Sequence, residues 1–226
     1  MSSELCCPRM NQPLPDDWQA VEAAFADADA VAMHQGWRTE PEPGLRPASV
    51  RCGWTAEALL VFAVLDDDDI FNPVEDFNTP AFQHGDVFEM FLRPAGQAAY
   101  YEFHVSPRNQ RFQLRIPSAA AFAAPRAAAG VPPAWLVRDW QIGSRVQVDA
   151  AKGRWRVLAT IPLARVAENG LPVAGKAWRF SFSRYDYTQG QAAPVLSSTS
   201  PHRQPSFHRQ QEWGTLSFDR ITGFSG

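Results

Sequence analysis

The stretch from Thr79 to Pro107 constrains this chain more than any other, because it divides into two alternating runs joined by a short turn. Successive side chains of a strand point to opposite faces. In Asp86–Leu92 that puts Phe88, Met90 and Leu92 on one face and Val87, Glu89 and Phe91 on the other. In Ala99–Val105, Tyr101, Phe103 and Val105 oppose Tyr100, Glu102 and His104. A hairpin that pairs Leu92 with Ala99 around Pro94-Ala95-Gly96-Gln97 sets Glu89 directly opposite Glu102. Like charges so placed repel, by about 0.2–1 kcal/mol when exposed and more when shielded. The pair therefore demands a counter-charge, a shared proton, a cation or a ligand hydroxyl.

The same alternation recurs along the chain. Strands are predicted at Ala30–Met33, Ser49–Trp54, Gln110–Ile116, Gln141–Val148, Arg154–Ile161, Lys176–Tyr185 and Gly214–Phe218. Leu59–Leu65 is a nearly continuous apolar run, the pattern of a strand buried on both faces. Helical turns are predicted at Trp18–Phe25 and Pro162–Glu168, the latter because proline suits the first helical position. Pro117–Pro133 is an Ala/Pro-rich excursion, and Asp186–Trp213 reads as a polar loop. Roughly ten strands with turns at short intervals and no alternating helices predict an all-β, antiparallel, jelly-roll-like sandwich. Residues 1–16, polar and Pro-rich, are predicted to fray, leaving 17–226 as a single domain. Asp66–Gly85 is an acidic loop with three phenylalanines, and a loop of that length inside a domain is functional or disordered. Its aromatic content argues for function.

At 226 residues the chain can bury a full core without a disulfide or metal staple. A net charge of −3 and a pI near 5.9 argue against non-specific nucleic-acid binding. No run is apolar and long enough to span a bilayer, so no membrane partner is expected. The sequence shows neither the basic start nor the apolar run of a secretory signal, and as it stands it reads as cytoplasmic. Three cysteines, two adjacent, make no disulfide framework.

Glu102, His104, Arg111, Gln113, Arg115, Arg154, Arg156, Arg179, Ser181 and Ser183 all lie opposite apolar residues on their strands. If those strands are neighbours, they form one face of planar hydrogen-bonding groups. Such a face is either the solvated side of an antiparallel sheet or a floor for polyols, whose hydroxyls match carboxylates, amides and guanidinium forks. Trp54-Thr55-Ala56-Glu57 leading into Leu59–Asp66, then Asn78-Thr79-Pro80, Gly85–Phe91 and Tyr100–Phe103, resembles family 9 carbohydrate-binding modules. The closing Phe207–Leu216 resembles the end of that family's pattern. The resemblance implies a β-sandwich, bound calcium in some members, and two tryptophans that sandwich a terminal pyranose. It implies an oligosaccharide or polysaccharide ligand of the xylan or cellulose class, in modules attached to xylanases and usually found outside the cytoplasm. Carried over by position, Phe82 and Phe207 stand where the two tryptophans are expected, Glu89 matches a sugar-binding carboxylate, and Gln204 lies near a ligand amide. Glu102 replaces an arginine and joins the predicted ligand set.

Two other readings stay open. Glu89 and Glu102 are candidates for the carboxylate pair of a glycoside-processing enzyme, and Met90 with His104 for the axial ligands of a haem-binding sandwich. The acidic turn supplies Asp66 and Asp68 as candidate calcium ligands, since calcium takes several convergent oxygens.

Overall fold

The computed structural model describes residues 4–10, 14–124, 130–168 and 173–219. Within them the alternating runs become strands: β1 (Glu4–Cys7), β2 (Ala30–Ala32), β3 (Ala48–Trp54), β4 (Ala58–Asp66), β5 (Val87–Arg93), β6 (Tyr100–Val105), β7 (Arg111–Ile116), β8 (Gly143–Asp149), β9 (Arg154–Pro162), β10 (Ala177–Asp186), β11 (Val195–Ser198) and β12 (Gly214–Phe218). Seven form one sheet in the order β1-β12-β10-β5-β6-β7, with β11 also paired to β10. Five form the other, in the order β2-β3-β4-β9-β8. The result is an all-β sandwich with a few short helices.

The apolar faces meet between the sheets. Phe88, Met90, Leu92, Phe103, Phe180 and Phe182 of the larger sheet pack with Leu59, Val61, Trp155 and Val157 of the smaller. Each such side chain removed from water contributes about 1.5–3 kcal/mol. The Leu59–Leu65 run is buried on both faces. Its outward residues Leu60 and Phe62 are covered by Val21 of helix α1 (Trp18–Ala24) and by Phe25. Phe25 stacks on Phe62 with ring centroids 5.3 Å apart. Asp17 fixes the start of α1, its carboxylate accepting from the Ala20 amide at 2.8 Å.

Three expectations are corrected. The start of the chain does not fray throughout: β1 pairs in parallel with β12, and Arg145 donates to the carbonyls of Pro15 and Asp16. Residues 1–3 and 11–13 of that segment lie outside the described residues, as do 125–129 of the Ala/Pro-rich excursion. The polar loop before β12 contains a strand, β11, whose Ser-rich sequence carries no apolar alternation. The hairpin register differs by two residues. Leu92 pairs with Tyr101, so Glu89 faces His104, and Phe91 faces Glu102. Pro94 has no N–H to extend the ladder and Gly96 takes a left-handed φ of 74°. The connection is therefore longer than the four-residue turn, and Ala99 stays out of the pairing.

The predicted polar face also divides. Arg154 and Arg156 belong to the smaller sheet. Arg111, Gln113 and Arg115 lie opposite Val105, Phe103 and Tyr101, on the side facing the other sheet. This works because β7 is the edge strand, where the sandwich rim is closed by polar groups. Gln113 donates to the Trp140 carbonyl and accepts from the Ile142 amide, and Arg111 donates to the Ile142 carbonyl. Phe112, Leu114 and Ile116 consequently face outward, beside Glu102 and His104.

Candidate functional site

The outer face of the larger sheet is covered rather than solvated. Phe91, Tyr100, Phe112, Leu114 and Ile116 form a second apolar cluster there with Phe207 and Trp213 of the long loop between β11 and β12. Beneath this cover sit Glu89, Glu102 and His104, with 2%, 5% and 0% of their surface exposed. His104 Nε2 lies 2.7 Å from Glu102 Oε1 and 3.2 Å from Glu89 Oε1. The imidazole stands between the two carboxyl groups that the sequence left in need of a partner.

Burial separates the acids. It pushes the Glu89 carboxyl up to about 8, with the Glu102 charge adding to the rise and His104 opposing it. Burial also pushes Glu102 up, but His208 and then the hydrogen bond and charge of His104 outweigh it and hold Glu102 below its usual range. For His104, burial favours the neutral ring, yet the Glu89 charge and the Glu102 hydrogen bond raise it.

Glu102 alone of the two acids reaches a cleft. The cleft is about 220 Å³ and is walled by Phe82, Leu114, Phe122, Val131, Pro132 and Trp135, with His208 beside Glu102. His208 stacks on Phe122 with centroids 3.6 Å apart, and its Nδ1 is 2.9 Å from the Tyr100 hydroxyl. His208 Nε2 stands 3.6 Å from Glu102 Oε2. That Oε2 atom is buried and has no hydrogen-bond partner among the described residues. An unpaired buried acceptor costs about 1–3 kcal/mol, and more when charged; here the His208 ring beside it is the nearest compensating group.

The five predicted ligand residues are distributed unevenly. Phe82 and Glu102 line the cleft, and Glu89 lies under it. Gln204 is exposed on the covering loop. Phe207 is 4% exposed and packs against Phe91, Trp37 and Tyr185. Tyr185 stands 5.7 Å from Phe82 and 5.8 Å from Phe207, filling the space between them. The expected pair of facing rings is not formed. Trp135, Phe122 and His208 were missed. Phe122 lies in the Ala/Pro-rich excursion and Trp135 just beyond it, where no period marks them, and His208 is the immediate neighbour of Phe207.

Asp66 and Asp68 are committed to arginines: Asp66 accepts from Arg154, and Asp68 pairs with Arg46 at the surface. Two other sets among the described residues bring three ligand atoms within 4.8 Å of one another, Glu89–Glu102–His104 and Asp67–Asp86–Asp186. Neither suits calcium, which needs six or more free oxygens. In the aspartate set the Arg184 guanidinium already bonds Asp67 at 2.8 Å and Asp186 at 3.1 Å, and Asp86 accepts from the amides of Phe71 and Tyr187. In the glutamate set a metal on His104 Nε2 would require a proton on Nδ1, which is buried without an acceptor among the described residues. Met90 packs between the sheets whereas His104 points outward, so the two cannot share a haem.

No family model matches the sequence, and no curated protein sequence matches it either. Solved structures do resemble it. A candidate carbohydrate-binding protein from Bacteroides uniformis ATCC 8492 superposes with a TM-score of 0.73 at 18% identity, over 97% of this chain and 100% of the other. The fold is that of family 9 carbohydrate-binding modules. A module of that family from Caldicellulosiruptor kristjanssonii, solved with cellotriose, gives a TM-score of 0.64 at 14% identity over 99% of this chain and 97% of its own. Its glucose complex gives 0.65 at 14% identity, over 99% and 100%. No helix among the described residues is long and apolar enough to cross a membrane.

Proposed function

We propose that this protein binds carbohydrate without transforming it, taking one terminal ring of a xylan- or cellulose-class saccharide into the cleft above Glu102. The reading rests on a cleft with aromatic walls that also holds the Glu102–His208 pair. A sugar combines hydroxyl donors, which an ionised carboxylate accepts, with C–H faces, which pack on rings such as Phe82 and Trp135. The likeness in fold to modules solved with cellotriose and glucose supports the same ligand class. A volume of 220 Å³ is below the ~300–1,000 Å³ of pockets for drug-sized ligands and suits a single ring. Glu89 acts from below, holding His104 in place at 3.2 Å, and Gln204 at the surface is available to a longer chain.

Calorimetric titration with xylo- and cello-oligosaccharides tests this. Affinity is expected between micromolar and millimolar, about −4 to −8 kcal/mol. Phe82→Ala should weaken it by about 2- to 12-fold, the equivalent of one aromatic contact of ~0.5–1.5 kcal/mol. Absence of binding by any oligosaccharide, or equal affinity in Phe82→Ala, would refute the site. Release of reducing ends, abolished in Glu89→Gln, would show a glycosidase instead.

A further inference from the structure

Arg93 and Arg179 stand directly opposite each other where β5 pairs with β10. Their neighbours Leu92 and Phe180 point into the main core, so both arginines project from the outer face of the larger sheet. Like charges placed in that way destabilise a sheet, and neither has a carboxylate partner among the described residues. Arg93 donates to the Gln210 side-chain oxygen at 2.7 Å, and Arg179 to the Trp213 carbonyl and, at 3.3 Å, to the Thr215 hydroxyl. The three acceptors are neutral. Glu212, on the loop that covers this face, gives both its oxygens to Arg209 at 2.8 Å. Glu4 closes the cross-strand row on β1, beyond Thr215 and two strands away from Arg179. The residues outside the described set contain no aspartate or glutamate. Burial first, and then the charge of Arg93, hold the Arg179 guanidinium below the usual arginine range.

We propose that the Arg93–Arg179 pair is a site for a phosphate group, outside the cleft and independent of the saccharide reading. A guanidinium has five N–H donors, and most of those on the pair are left over after the bonds to Gln210, Trp213 and Thr215. Both side chains are half-buried, and neither has a nitrogen that is at once buried and unbonded. The nitrogens without a bond, Nε and Nη2 of Arg93 and Nε of Arg179, are therefore open to water and within reach of an anion. Guanidinium forks match phosphate oxygens with parallel N–H···O bonds. A dianion also cancels both charges that the cross-strand contact forces together, whereas a single carboxylate cancels one. Gln210 and the Trp213 carbonyl hold the two side chains before the ion arrives, which lowers the cost of ordering them. The whole chain carries −3 and draws no anion by its overall field, so binding depends on these two side chains and weakens with added salt. Inorganic phosphate and the phosphate ester of a sugar present the same group to the pair.

The experiment titrates inorganic phosphate and glucose 6-phosphate into the full chain by calorimetry, with ionic strength held constant by sodium chloride. At neutral pH each phosphate group carries about −1.5 to −2 charge. Inorganic phosphate should bind in the millimolar range, and Arg93→Gln should weaken it at least tenfold. Arg93→Lys, which keeps the charge and gives up the fork, should lose affinity by a smaller factor; the melting transition of each variant checks that it is folded. Tighter binding of glucose 6-phosphate than of phosphate would place the group on a sugar, and binding no tighter would make the free ion sufficient. Failure of both probes to bind, or the same affinity in Arg93→Gln as in the parent, would overturn the proposal. Either result leaves the binding of neutral oligosaccharides in the cleft to its own test.

Discussion

Among the described residues two sets of three ionisable side chains are buried, and they differ in what they leave unpaired. Asp67, Asp86 and Asp186 surround Arg184, which is 1% exposed and also donates to the Asp66 carbonyl. Asp67 further accepts from the Asp69 amide, and both Asp86 oxygens accept from the backbone. The set thereby ties the acidic loop after β4 to β10 and to the start of β5. Glu89, Glu102 and His104 are equally buried, yet one carboxylate oxygen is left over beside a cleft. The first set spends its lone pairs on the chain; the second leaves one oxygen without a hydrogen bond among the described residues. Burial of charge is therefore a poor guide to function by itself, and the hydrogen-bond inventory decides.

That contrast is tested most severely at Arg184. Arg184→Met leaves Asp67 and Asp186 buried without their cation, and breaking a buried pair in this way costs about 3–5 kcal/mol. At this chain length the melting temperature should fall by roughly 6–20 °C, measurable by calorimetry. A change of under 3 °C would mean that the aspartates do not depend on the guanidinium, and the first set would lose its structural role. Phe207→Ala comes next, because its ring is interior. The expected loss is about 3 kcal/mol for truncating a buried phenylalanine, read as a lowered midpoint in urea. Wild-type stability with lost sugar binding would instead restore Phe207 as a ligand wall.

Much of this was legible in the sequence and part of it was not, for physical reasons. Alternation located the strands because a two-residue period survives small errors at strand ends, and the unbroken apolar run Leu59–Leu65 announced burial on both faces. The demand of Glu89 and Glu102 for a counter-charge was also legible, although the partner proved to be His104 on the same strand as Glu102. The outer face was misjudged because the sequence cannot say that loops will fold over a sheet. Phe112, Leu114 and Ile116 form a second core on that face, apart from the main one. The cleft was least visible, since Phe122, Trp135 and His208 come from irregular segments that share no period.

The two sets also respond to pH in the same direction, and Glu89 isolates one contribution. Its folded pKa, near 8, is above the ordinary 4.5, so the folded state holds this proton more tightly than the unfolded state. The stability it contributes is complete below about pH 4.5 and is lost as pH rises through 8. Asp86, also raised to about 8, and Asp186, raised to about 7, act in the same sense. Glu89→Gln keeps the site neutral and should therefore be more stable than the parent above pH 8, on the order of 2 kcal/mol, with little difference at pH 5. Parallel stability curves for the two proteins from pH 5 to pH 9 would show that Glu89 is ionised throughout.

The smallest change in stability should accompany the largest change in binding. Glu102→Gln keeps an oxygen for His104 and a side chain of nearly the same shape, and replaces the unpaired Oε2 with an amide donor. Oε2 makes no hydrogen bond among the described residues, so the substitution removes its charge attraction to the partly exposed His208 and should cost no more than about 1 kcal/mol. A sugar hydroxyl that donated to it would face a donor instead, and affinity should fall at least tenfold, about 1.4 kcal/mol. The comparable change in the other set, Asp67→Asn, should do the reverse, lowering the melting temperature through Arg184 while leaving sugar affinity intact. If Glu102→Gln and Asp67→Asn instead affected stability and affinity alike, the free oxygen would have no special standing and the distinction between the two buried sets would disappear.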